Sequence, residues 1–376
     1  MWTNIIGQER AKEILRNIFS SERISHAYIF YGNEGVGKDA AAVEFAKLLN
    51  CDNRINKTEA CDKCKSCLEI DSFKSPLFKF ITALPSGKNE TEEDTNPLEK
   101  LEKEDFTNYL SGIEFKVRDK YHKISLPKAN DIRISSIRQI KKDIYLTGKI
   151  GKKKIFLISG AERMNPQSSN SILKILEEPP KDSVLILTTS RVNSIISTII
   201  GRCQKIKFDN LKKSHIADYI ERKAERISSR ELEFYSEISE GSITKCNEIL
   251  EKNFLDLREK VMDVLTAIVT NKQLKLGNEI DYVIGKKDKQ RIRQFLILLN
   301  IWFADIMFKS NGNDELIINK DKIDRINKFV SNFNSENYKI INTIEDAIKD
   351  LESNIFPDLL LYNLSFKIRS YIQKKP

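Results

Sequence analysis

The chain has 376 residues, more than one ordinary domain holds, so about two or three domains are expected. With 40% hydrophobic and 31% charged residues, it can form a packed core under a soluble surface. A formal charge of +9 permits contact with nucleic acid without requiring it, because the positive residues are scattered rather than blocked.

A helical pattern runs over residues 3–20, with Ile5, Ile6, Ala11, Ile14, Leu15 and Ile18 as its apolar positions. No long apolar run accompanies it, so no signal peptide is expected and the setting is read as cytoplasmic. After a loop-like stretch ending at Ile24, Ser25 and His26, a β-prone run from Ala27 to Tyr31 leads into Gly32, Gly35, Gly37 and Lys38. A helical pattern resumes from Ala40 to Asn50. Strand, G-x-x-x-x-G-K and helix make the P-loop arrangement. Its glycines let backbone N–H groups turn toward phosphate, the helix N-terminus adds its positive dipole end, and Lys38 reaches the terminal phosphates. The next residue breaks the pattern. A working P-loop has Ser or Thr there to hold magnesium, and this chain has Asp39. A carboxylate against the β- and γ-phosphates repels them, so weak or no ATP affinity is expected.

Cys51, Cys61, Cys64 and Cys67 follow, in the spacing C-x9-C-x2-C-x2-C. C-x2-C lets two sulfurs face one metal, and four thiolates close a tetrahedral zinc site with no open position, which makes it structural. An iron–sulfur cluster is the rival, since C-x2-C-x2-C also opens the ferredoxin run. That run needs a cysteine after three more residues, where Asp71 stands, so zinc is preferred. Cys203 and Cys246 stand alone and read as buried thiols.

Pro85 to Asp105 is polar, acidic and nearly free of large apolar residues, and reads as a disordered or loosely helical insertion. A helical period returns over Ile132 to Leu146. Lys152 to Lys154 form a solvated turn before a buried-strand pattern at Ile155 to Ile158. Ser168 to Glu178 is a helix stopped by Pro179 and Pro180; Val184 to Thr189 is a second buried strand, and Ile206 to Phe208 a short one. Strands alternating with helices argue for a parallel sheet covered on both faces. After about Asn210 the strands stop. Leu211 to Leu250 reads as a small helical unit with a break at Gly241 and Ser242, and Phe254 onward as helical throughout. Its most apolar stretch, Phe295 to Phe308, contains Asn300 and Asp305 and is too short to span a bilayer, so it is a buried helix.

An ATPase of this type follows its second core strand with two acidic residues, one for magnesium and one for the attacking water. Those positions are Ser159 and Gly160, and Glu162 comes two residues late, as a loop or helix-start contact. Three metal- or water-handling positions, Asp39, Ser159 and Gly160, have therefore lost their chemistry together.

His26 through Gly32, the cysteine cluster, Ala161 to Asn165, Asn170 to Pro180 and Gly201-Arg202-Cys203 occur in one order. In that succession the chain resembles the bacterial clamp-loader subunits of DNA polymerase III, most closely the delta-prime type, over about Ile5 to Leu250. The resemblance implies an α/β P-loop (AAA+) domain with a parallel sheet, followed by a small helical lid domain and an all-α C-terminal collar domain. Their bounds are read as 1–208, with an inserted zinc module at 51–67 and a polar insertion at about 85–128, then 209–252 and 253–376. It also implies a subunit that does not hydrolyse ATP but sits in a five-membered ring with motor (gamma/tau) and delta subunits, loading a sliding clamp on primed DNA. Arg202, in the family's Ser-Arg-Cys motif with Gly201 replacing the serine, would be lent to the neighbour's ATP site, where a guanidinium supplied in trans stabilises the transferring phosphoryl group. In the lid motif the motor subunit's sensing arginine falls on Thr244, beside Lys245. His26, His122 and His215 read as structural or exposed. Two other readings stand beside this one: an ATP-hydrolysing gamma/tau-like motor in which Asp39 and Glu162 replace the usual ligands, and a metal–redox or nucleic-acid-binding protein sharing only the P-loop frame.

Overall fold

The computed structural model describes residues 2–88, 96–146, 151–223, 227–250, 252–285, 288–352 and 356–375. It divides into two compact units, residues 1–219 with 240–245, and residues 220–239 with 246–376.

The first unit is built on a parallel five-stranded sheet. Strands β1 (Ala27–Tyr31), β2 (Phe78–Ile81), β3 (Lys154–Ser159), β4 (Ser183–Thr189) and β5 (Gln204–Lys207) lie in the order β2-β3-β4-β1-β5. The central strands are continuous apolar runs, as strands buried on both faces must be, and every residue of β4 is buried. Register places Ile29 beside Leu187 and Ile158 beside the same residue on the other edge of β4. This stacks the carboxyl ends of β1, β3 and β4 at one rim, where open α/β sheets bind ligands.

Helices cover both faces: α1 (Glu9–Ser20), α2 (Lys38–Asn50), α3 (Lys65–Asp71), α4 (Lys103–Arg118), α5 (Ile134–Ile144), α6 (Pro166–Glu177) and α7 (Ser197–Ile200). On one face Tyr28 meets Phe45 of α2 edge-on at 5.6 Å, and Phe30 meets Phe208 at 5.3 Å. On the other, Ile29, Ile158 and Leu187 pack with Ile137 and Ile140 of α5 and Ile172 and Ile175 of α6. α6 begins where Asn165 caps it, accepting the Ser168 N–H at 2.8 Å, with Pro166 at its first position.

Several expectations change. The helix expected from residue 3 begins at Glu9, because Gly7 and Gln8 have left-handed φ of 58° and 62°. Gln8 instead bonds the Val36 and Asp209 carbonyls and the Asp209 N–H, bridging the P-loop to the end of β5. Strand β2, absent from the sequence reading, is a four-residue edge strand with only its end residues buried, too short to show a period. The insertion beyond Asp105, to which the sequence assigned no element, is ordered: α4 runs to Arg118, and Tyr109, Ile124 and Leu126 join the sheet's core. Residues 89–95 of that insertion lie outside the described residues.

Beyond β5 the chain is helical: α8 (Lys213–Lys223), α9 (Ser229–Ile238), α10 (Ile243–Leu250), α11 (Lys252–Val269), α12 (Gln273–Ile284), α13 (Lys289–Ser310), α14 (Ile323–Asn332), α15 (Asn337–Glu352) and α16 (Pro357–Ser370). Two three-residue strands, β6 (Phe333–Ser335) and β7 (Ile372–Lys374), pair antiparallel, so strands do not stop entirely at Asn210. Within the second unit α13 packs on α15 and α11. Asp305 is fully buried on α13, and accepts the Ile318 and Asn319 N–H groups at 2.8 and 2.9 Å. Asn319 in turn accepts from Arg258, whose guanidinium also forks onto Asp321 and lies 3.7 Å from the Phe234 ring centroid. Asp305, Asn319, Arg258 and Asp321 thus satisfy one another within this apolar core. Among the described residues, no helix is long and apolar enough to cross a membrane.

Candidate functional site

The P-loop leaves β1 at Tyr31 and enters α2 at Lys38. Gly32 has φ +151° and lies so near β5 that a Cβ would stand 2.1 Å from the Phe208 carbonyl oxygen, so only glycine fits. Lys38 donates to the carbonyl oxygens of Gly32 and Asn33 at 2.7 and 2.6 Å, closing the loop on itself. Burial draws its pKa down, against the pull of Asp39 and Glu162.

Asp39 is the centre of the site. Its Oδ2 accepts from the Ser159 hydroxyl at 2.7 Å and stands 2.9 Å from Lys116 Nζ; its Oδ1 accepts from the Thr188 hydroxyl at 2.7 Å. Burial pushes this carboxyl up, but the Lys116 ammonium and the hydroxyls outweigh it and hold the carboxyl below the usual range. Lys116 comes from α4. It is 3% exposed, also donates to the His122 carbonyl at 2.9 Å, and lies 5.4 Å from the Phe80 ring centroid. After α4 the chain turns across the loop. Tyr121 accepts the Ile6 N–H on its hydroxyl at 2.8 Å, and that hydroxyl would stand 2.9 Å from a Cβ at Gly37. Lys123 pairs with Glu34 at 2.6 Å. From the other side the Ile243 N–H reaches the Gly35 carbonyl at 3.0 Å, and Thr244 donates its hydroxyl to the Tyr121 carbonyl at 3.3 Å. Lys245 turns away to Glu240. What is left is a cavity of roughly 550 Å³ lined by Lys38, Asp39, Lys116, Tyr121, Ser159 and Glu162, among others.

Two features of this pocket were not read from the sequence. Asp39 and Ser159 are not independent losses: a P-loop ATPase holds magnesium with a hydroxyl after the lysine and a carboxylate at the end of the second strand. Here the two groups have changed places and bond each other. The reciprocal substitution was visible in the sequence; its cation, Lys116, lies 77 positions after Asp39 in a stretch without a motif. Glu162 accepts the Ser190 N–H and hydroxyl at 3.2 and 2.6 Å, which makes it the loop contact expected.

The four cysteines meet at the end of α2. Their sulfurs all lie within 4.8 Å of one another, with Cys51 to Cys64 and Cys61 to Cys67 both at 4.0 Å. Tetrahedral zinc with bonds of about 2.3 Å needs sulfurs roughly 3.8 Å apart, so the set fits a metal ion. Backbone N–H groups of Cys61 and Cys64 point at the sulfurs of Cys51 and Cys61 at 3.3 and 3.2 Å, the arrangement that stabilises thiolate. Burial opposes ionisation of Cys61, yet the Lys63 and Cys64 N–H groups win and bring it to about 6; burial and the Cys64 and Cys51 side chains drive Cys67 up. The module is clamped to α2 by Lys47, which is 1% exposed and pairs with Glu44, Asp62 and Asp71 at 2.6, 2.9 and 3.2 Å. Cys203 and Cys246 are not among its four thiols and are each pushed up by burial, to about 12 and about 11.

Arg202 follows α7 on the surface. Its guanidinium donates to the Thr198 carbonyl and to Glu177 of α6, both at 3.0 Å. Gly201 has φ −66°, which any residue adopts, and a Cβ there would meet the Ser197 carbonyl oxygen at an ordinary 3.4 Å. Loss of the motif's serine therefore leaves the backbone unstrained.

The model of a family described as "DNA polymerase III, delta subunit" matches residues 7–212. The chain belongs to that family. Among curated relatives it is similar to DNA polymerase III subunit delta' of Bacillus subtilis, 26% identical over 356 residues, covering 93% of this chain and 92% of that protein. It is also 26% identical over 280 residues to DNA polymerase III subunit tau of the same organism, covering 73% of this chain but only 42% of the longer protein. A solved gamma subunit-related protein of DNA polymerase III from Thermotoga maritima aligns over 96% of this chain and 99% of its own, at 14% identity and TM-score 0.48. The resemblance to DNA polymerase III clamp-loader subunits is thereby borne out, as is the α/β P-loop fold followed by helices.

Proposed function

We propose that this chain is the delta-prime-type member of a DNA polymerase III clamp loader, a subunit that turns over no ATP and lends Arg202 to the ATP site of a neighbouring motor subunit. One observation carries the reading. The P-loop keeps its glycines and lysine, but its carboxylate and hydroxyl are exchanged, a lysine is paired to the carboxylate, and no acidic residue stands at Ser159 or Gly160 to orient water. The near end-to-end match with the delta' relative, against a match to less than half of tau, supports the same side. Arg202, by contrast, is at the surface and, among the described residues, is tied to one exposed carboxylate and one carbonyl. Such an arginine can swing to a phosphoryl group presented by a partner.

In this reading the partners are gamma/tau and delta subunits, with the sliding clamp and primed DNA met through the complex in the cytoplasm. Cys51, Cys61, Cys64 and Cys67 hold a structural zinc ion that fixes the module at the end of α2. The three-domain division at 208 and 252 belongs to the same proposal. The test is steady-state ATP turnover with primed DNA and clamp, comparing the isolated chain, the reconstituted loader, and the loader carrying Arg202→Ala. A silent chain and a loader that loses most of its turnover on the substitution are expected. Turnover by the chain alone would make it a motor, and an indifferent Arg202 would remove the arginine from the reading.

A further inference from the structure

We infer that the P-loop of this chain carries its own cation: Lys116, brought by the inserted segment 103–126, stands in for the divalent metal and keeps the site closed to metal–nucleotide. The inference goes beyond the arginine-donor reading and does not depend on it, since it concerns binding by the isolated chain.

The chemistry follows from the exchange of Asp39 and Ser159. Swapping a hydroxyl and a carboxylate across the site conserves one of each, so the pair keeps a negative charge and still calls for a cation. The 2.7 Å bond between them fixes the carboxylate, and the Thr188 hydroxyl fixes its other oxygen. Lys116 is the cation that answers, at 2.9 Å from Asp39. An ammonium has three donors, and the rest of this one's reach is met by the His122 carbonyl at 2.9 Å and the Lys120 carbonyl at 3.5 Å. It is thus satisfied without solvent or phosphate.

The segment that delivers Lys116 is held independently of it. Lys120 pairs with Asp71 beside the cysteine module at 3.3 Å, and the Tyr121 hydroxyl holds the Ile6 N–H against Gly37. A metal–nucleotide would have to displace a buried ammonium from its carboxylate and lift this turn from the glycine loop. The silence of the P-loop is therefore maintained by an occupant, in addition to the absence of Ser or Thr after Lys38.

Magnesium ion alone is the probe. Thermal unfolding of the full chain would be followed with and without magnesium for the wild type, Lys116→Met and Lys116→Met/Asp39→Asn. The wild type is expected not to respond. Lys116→Met is expected to melt lower and to recover several degrees when magnesium takes the vacated place, and the double variant to lose that response. Magnesium that stabilises the wild type as much as Lys116→Met, or stabilises neither, overturns the inference. Should Lys116→Met fail to fold, a second pair decides. Asp39→Thr/Ser159→Asp, which restores the usual arrangement, would be titrated with magnesium–ATP with and without added Lys116→Met. At least about tenfold tighter binding after removal of the lysine is expected, and equal binding or equal silence in the two overturns the inference.

Discussion

The cysteine cluster and the P-loop pocket lie at opposite ends of α2 and were legible to very different degrees. The cluster is local: four cysteines fall within seventeen positions, and their sulfurs lie within 4.8 Å of one another. The pocket looks local, with Gly32 to Asp39 contiguous, but its electrostatics are settled by Lys116, Ser159 and Thr188, which arrive from three other elements. A site whose donors are close in sequence can be read from spacing. One whose charge balance is completed across the fold reads as damaged until its distant partner is seen.

The largest effect should come from the local site. Cys67→Ser removes a fully buried ligand, and since binding of a structural zinc is folding free energy, the first unit should lose more than about 3 kcal/mol along with its metal. Metal analysis and urea unfolding check this; a metal-free wild type, or one holding iron, would break the comparison at its first term.

Next is the distant site. Lys116→Met leaves the Asp39 carboxylate without its cation and should cost about 3–5 kcal/mol, much of it returned by adding Asp39→Asn. A variant as stable as the wild type would mean the pair is incidental. The same pair predicts a pH dependence. Because the folded pKa of Asp39 is depressed, its contribution is complete above the ordinary carboxylate value of about 3.9 and is lost as pH falls through the folded value. Urea unfolding of the wild type should therefore weaken in acid more steeply than that of the Lys116→Met/Asp39→Asn chain, and parallel curves would contradict the assignment.

A smaller effect is expected at the loop itself. Gly35→Ala places a Cβ 2.1 Å from the Ser242 hydroxyl oxygen at φ +76°, and should cost about 1–3 kcal/mol in denaturant unfolding. The smallest is Arg202→Ala, which gives up one exposed ion pair with Glu177 and should change stability by no more than about 1 kcal/mol. A large loss of stability there would mark Arg202 as structural.

The fold was largely written in the sequence where burial is continuous. Ile155 to Ile158 and Val184 to Thr189 are apolar on both faces and appear as β3 and β4 within a residue at each end. Where a strand has only four residues and its two middle ones are half-buried, as in β2, no pattern accumulates. α4 was hidden for another reason: much of it is charged or exposed, including Phe106, Leu110 and Phe115, and it anchors through Tyr109 and the buried Lys116. Gly7 and Gln8 delay the start of a helix that periodicity would have carried through them: both take left-handed backbone angles, and the Gln8 side chain is turned to the Val36 and Asp209 carbonyls.

The most direct test of the contrast between the two ends of α2 is the native mass of the purified chain after incubation with magnesium and ATP. One zinc ion and no nucleotide are predicted, with zinc lost and nucleotide still absent after Cys67→Ser. A chain carrying magnesium–ATP, or a wild type without zinc, would contradict the account.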